Sequence, residues 1–185
     1  MWTIPRISGA ALAVVLLLSG CVPTPASTSP APSPTATPVF ASEAEALAAA
    51  TKAYAAYQAA LDSAFSTYDP SELSQVSSGT ALSKAKSSVS DYREAGKHQV
   101  GTASIDRVSW VDPNSGISSY ADSFNSQAYL CLDLSKVDVL GSDGKSVVPA
   151  GSERRFPIIA TFKWDSSSRG LVVDEDESWS GANFC

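Results

Sequence analysis

The chain has 185 residues, with 13 Lys and Arg against 19 Asp and Glu, a formal charge of −6. That balance argues against a nucleic-acid binder, which needs clustered basic side chains, and against a polybasic contact with anionic lipid. A single histidine and three cysteines leave little for metal chemistry.

The first twenty residues have the layout of an export signal. Arg6 supplies one positive charge, Ala10 to Leu18 is unbroken apolar sequence, and Ser19 and Gly20 are small, as a signal peptidase requires. The apolar run is too short to span a bilayer core of about 30 Å as a helix. Leu18-Ser19-Gly20-Cys21 resembles the lipobox of a bacterial lipoprotein. That resemblance implies residues 1–20 as a lipoprotein signal peptide and Cys21 as the first mature residue, with lipid on its sulfur. The alternative is an ordinary signal with a chance Cys. One acyl chain holds a membrane weakly and two or more hold it stably. The expected localisation is therefore extracytoplasmic, on the outer face of the cell membrane, with the membrane a partner through Cys21.

Residues 21–41 are expected to form the lipidated Cys and its tether. Pro, Ala, Ser and Thr dominate, with prolines at 23, 25, 30, 32, 34 and 38. Such a segment buries too little apolar surface to offset its ordering entropy. At roughly 3 Å per residue its polyproline bias gives a reach of about 50 Å.

The rest, 42–185, suits one domain with one core. Ser42 and Glu45 form a capping-box pattern. Leu47, Ala50, Tyr54, Tyr57, Leu61 and Phe65 then recur at three- and four-residue intervals, which predicts one apolar face of a long helix with alanines opposite. Asp69-Pro70 ends it. Ser71 to Val76 makes one short helical turn. Leu82, Ala85, Val89 and Tyr92 mark a third helix between Gly79 and a glycine cap at Gly96.

From Val100 the period becomes two. Ala103 and Ile105 alternate, Val108 and Trp110 alternate in the other register, and the slip at Asp106-Arg107 predicts a β-bulge. Residues Asp112 to Gly116 read as a turn. Ala128, Leu130, Leu132 and Leu134 share one face of the next strand, with Tyr129, Cys131 and Asp133 on the other. Ser142-Asp143-Gly144-Lys145 is a tight hairpin signal. Phe156, Ile158, Ala160, Phe162 and Trp164 give the clearest alternating face, and Leu171 to Trp179 a last strand. Helices followed by an antiparallel meander predict an α+β fold, with the helices covering one face of a curved sheet.

Cys131 and Cys185 lack C-x-x-C spacing, and an exported chain meets oxidising conditions, so they are expected to pair as a disulfide. Closing a loop of about 55 residues contributes roughly 4 kcal/mol in the chain-entropy model.

This order of elements resembles the nuclear transport factor 2-like superfamily, also called SnoaL-like or cystatin-like, from about Ser42 to Cys185. Within it, Cys131-Leu132-Asp133, the Gly144-Lys145 turn, Trp164 and the Cys at 185 are similar to small actinobacterial lipoproteins of unknown function. The resemblance implies a cone-shaped domain. It does not transfer activity, since the superfamily hosts dehydratases, isomerases, carriers and interaction domains.

Enzymes of that superfamily work with His–Asp or Tyr–Asp pairs inside the cone. His98, beside Lys97, is expected on an exposed loop. Asp133 is expected to fix a turn or pair with a neighbouring base. Asp174-Glu175-Asp176-Glu177 reads as a solvated acidic edge strand, since it lacks the calcium-loop pattern. No catalytic residue, cofactor or metal is assigned. Tyr54, Tyr57, Trp110, Phe162 and Trp164 are the candidates to line a pocket. Two functions remain open. One is a non-catalytic binding or assembly module of the cell envelope, with a protein partner or a second copy of itself. The other is a pocket protein, either an apolar-ligand carrier or a dehydratase/isomerase-type enzyme. A cone closed by side chains, with an apolar patch elsewhere, favours the first; an open apolar cavity with convergent polar groups favours the second.

Overall fold

A computed structural model describes residues 38–112 and 123–185. The signal segment, Cys21 and most of the tether lie outside the described residues, as does the turn expected after Asp112. Helix α1 spans Glu43–Thr67, α2 Leu73–Val76 and α3 Gly79–Glu94. The strands are β1 His98–Val100, β2 Ser104–Trp110, β3 Asn125–Asp133, β4 Asp138–Leu140, β5 Arg155–Asp165 and β6 Gly170–Ser178. The main sheet is antiparallel in the order β2-β3-β5-β6, and β1 pairs with β4 in a small second sheet. This is an α+β fold with helices on one face of an antiparallel sheet.

The local chemistry sets the element ends. The Ser42 hydroxyl accepts the Glu45 N–H at the start of α1, and the Glu45 carboxylate reaches back to accept the Ala41 N–H, a variant of the capping box. Ahead of this cap, Phe40 is 9% exposed and packs edge-on against Phe124 and Trp164, which ties residues expected in the tether to the core. Tyr68 closes α1 in the left-handed region (φ 61°). At the end of α3, Gly96 (φ 62°) donates to Arg93 O and Lys97 to Tyr92 O, a Schellman closure that needs the glycine's freedom.

The face that α1 buries differs from the expected one. Ala46, Ala50, Tyr54, Tyr57, Ala60 and Ala64 are buried, whereas Leu47, Leu61 and Phe65 pack only at its margin. Alanine brings the helix backbone close to the sheet, and the large side chains then fill the edges. Against this face lie Trp110, Ala128, Leu130, Ile158, Ala160, Phe162 and Val173 from the sheet.

The strand faces follow the expected alternation. Leu134 is the exception: it falls after β3 and its N–H bonds Arg154 O. The bulge in β2 is present between Asp106 and Val108, with Arg107 at φ 47°. The hairpin at Gly144 closes through Gly141 N–H to Lys145 O. His98 does not sit in a loop: it opens β1, opposite Leu140.

Candidate binding face

Three polar places emerge once the core is drawn. The first is internal. Tyr54 is fully buried, Tyr57 and Gln58 nearly so, and the Tyr54 hydroxyl donates to Asp176 Oδ1 at 3.1 Å. Burial, reinforced by the charge of Asp176, pushes both phenols well above their ordinary range. Burial also raises Asp176, against the tyrosine hydrogen bonds that lower it. Tyr54 and Tyr57 line none of the grooves described below. Phe162 and Leu130 are fully buried around them, and Trp110 meets Phe162 edge-on at 6.3 Å. Of the five pocket candidates, Trp164 lines a groove that runs along the start of α1.

The second place is the β6 edge. A register shift opposite Thr161 and Phe162 makes Asp174 a bulge residue. Asp174 is only 7% exposed; it accepts Ser78 Oγ at 2.7 Å and meets Lys163 Nζ at 2.7 Å. Burial pushes Asp174 up, but the Lys163 and Ser78 hydrogen bonds outweigh it and hold the carboxyl below its usual range. Ser78 N–H also bonds Val173 O, and Ser77 forms a parallel bridge to Val173. The acidic run lies on an edge strand as expected and Glu177 is exposed, but Asp174 and Asp176 are not solvated. Asp174 and Asp176 are tied down, and the α2–α3 connection covers an edge that would otherwise offer free backbone groups. The alternation of a strand, interrupted by one bulge, hides this in sequence.

The third place is the outer face of the sheet, away from the helices. The part of it around Cys131, Arg107 and Arg155 is covered by the C-terminal segment. The Cys131–Cys185 disulfide, with Cα atoms 5.5 Å apart, pins that segment across the sheet. Arg107 donates to Phe184 O and Arg155 to Cys185 O, while Arg155 Nη2 meets both oxygens of Asp106. Tyr129 packs edge-on against Trp179 at 5.1 Å and Phe184 at 5.4 Å. These rings, with Arg107 and Ser109, line an open groove of roughly 460 Å³. Beyond it on the same face lies a polar groove of roughly 480 Å³, lined by Asn125, Gln127, Thr161, Lys163 and Glu175 among others. Asp133, as expected, fixes a turn: it accepts the Ser135 N–H at 2.8 Å, which lowers its pKa. The outer grooves were not found from sequence. The aromatic groove depends on Trp179 and Phe184, which lie after the last strand and gave no periodic signal.

No described helix is long and apolar enough to cross a membrane. No protein-family model matches the chain, and neither does any curated protein. Among solved structures, the chain is similar to the intermembrane space region of the chloroplast protein ARC6. The TM-score is 0.50 at 16% identity, over 73% of this chain and 97% of that one. At that identity the likeness concerns the arrangement of helices and strands alone.

Proposed function

We propose that this chain is a lipid-anchored extracytoplasmic binding module, with a nuclear transport factor 2-like domain that uses the outer face of its sheet as its contact surface. The observation that carries this is the contrast between large side chains fully buried in the interior and open grooves on the outer face. Tyr54, Phe162, Leu73 and Leu130 occupy the space between helices and sheet, while the aromatic and polar grooves stand on the opposite face. The Cys131–Cys185 disulfide fits a chain that matures in an oxidising compartment. Lipid on Cys21 and the Pro-rich spacer after it would present that face at a distance from the membrane.

The rival reading, a carrier or a dehydratase/isomerase-type enzyme, has one observation in its favour: the Tyr54–Asp176 hydrogen bond in the interior. It would need that pair to open onto a cavity.

The anchoring part is tested by growing cells expressing the chain with a clickable fatty acid. The expected result is label in the wild type and none in Cys21→Ala, with the variant released from the membrane fraction. Label retained on the variant refutes it.

A further inference from the structure

We propose that the outer sheet face binds a neutral glycan strand, with Tyr129, Trp179 and Phe184 as its stacking platform and Gln127, Thr161 and Glu175 as its hydrogen-bonding row. This rests on the outer face being the contact surface and names the chemistry that face would take.

A sugar ring presents one face of C–H groups and a rim of hydroxyls. It is held by an aromatic surface set beside planar donors and acceptors. Both are present here, in the right order along the strands. Tyr129 and Gln127 occupy successive outward positions of β3, about 7 Å apart at the rise of a strand. Tyr129 meets both Trp179 and Phe184 edge-on, so the rings form an angled platform rather than a flat stack. Gly181 favours that arrangement: a Cβ there would overlap the Trp179 indole, so a larger residue would displace the ring.

The polar row is held by its own hydrogen bonds. Gln127 Nε2 donates to Thr161 Oγ1 at 3.2 Å, and Thr161 donates to Glu175 Oε2 at 3.0 Å. The Gln127 amide oxygen and the second Glu175 oxygen take no hydrogen bond among the described residues. They remain as acceptors for hydroxyl groups. Each groove lies within the size range of small-ligand sites, and end to end they suit a short oligomer rather than one ring.

Charge selects among polymers. Lys163 is held by Asp174 at 2.7 Å and Arg155 by Asp106 at 2.6 Å, while Arg107 at the aromatic groove donates to Phe184 O. With a chain charge of −6, that pairing disfavours nucleic acid and sulfated or uronic glycans. An acyl chain would need an enclosed apolar pocket, whereas this surface is open and half polar. An extended peptide would pair with a strand edge rather than with the face, and at Val173 the β6 edge is met by Ser77 and Ser78.

The test is titration of the full chain with chitotetraose and maltotetraose. A heparin tetrasaccharide and a Pro-rich decapeptide serve as competing classes. Tryptophan emission and backbone amide shifts are read. The expected result is saturable binding of a neutral sugar, insensitive to salt and centred on Trp179 and Gln127. Trp179→Ala should weaken it on the order of tenfold. Gln127→Ala, an exposed change that leaves the platform intact, should weaken it about fivefold at unchanged thermal midpoint. The proposal is overturned by no saturable binding of either neutral sugar, by binding that ignores both substitutions, or by preference for heparin or the peptide. If sugars fail while a crosslinker at Gln127 still captures a protein in cells, the glycan is wrong and the contact face stands.

Discussion

Breaking the Cys131–Cys185 bridge should destabilise the domain by an amount that follows from its place in the chain. The cysteines are 54 residues apart. In the chain-entropy model, freeing a loop of that length from the unfolded state costs about 4 kcal/mol of stability. With a urea slope of about 2 kcal/mol/M, that moves the unfolding midpoint down by about 2 M. The perturbation is Cys185→Ser, which leaves the buried Cys131 in place. The assay is urea unfolding followed by tryptophan emission, with and without reductant. Reductant should shift the wild type to the variant's midpoint and leave the variant unmoved. The variant's emission should also move to longer wavelength before unfolding, because Trp179 loses the segment that packs on it. A midpoint shift below about 0.5 M, or a wild type indifferent to reductant, refutes the pairing as a source of stability.

Phe162→Ala removes a fully buried ring from the centre of the core and should cost about 3–5 kcal/mol, read as a lower denaturation midpoint. Gly101→Ala should cost more than about 2 kcal/mol, because the residue holds φ +81° and its Cβ would overlap Lys136 O. Asp176→Asn tests the buried acid. Burial raises the folded pKa above the unfolded value, so the wild type is relatively stabilised below the unfolded pKa and loses that stability as pH rises through the folded one. The variant keeps an acceptor for Tyr54 and should be the more stable protein at pH 7, with the difference shrinking towards pH 4. A pH-independent difference would contradict the assignment.

The helix ends, the bulge at Asp106-Arg107 and the alternation of β3 and β5 were legible because each rests on local chemistry. Ser42 caps through its own hydroxyl, Gly96 supplies a left-handed turn, and period two needs only neighbouring residues. What was not legible depends on distance in the chain. The alanines of α1 became the buried face because the sheet approaches there, which helical periodicity does not specify. Asp174 is buried because Lys163 and Ser78, from β5 and the α2–α3 connection, meet it. His98 joined a strand because Leu140 lies opposite it. The outer aromatic groove needed the disulfide to fold Phe184 back onto Tyr129.

The central claim, that contact is made through the outer sheet face, is tested most directly by site-specific photocrosslinking in cells. A benzophenone side chain is placed at Gln127 on that face, and in a second strain at Lys52 on the helical side, both exposed. The account predicts discrete high-mass adducts from Gln127 and none from Lys52. Adducts from Lys52 with none from Gln127 would contradict it.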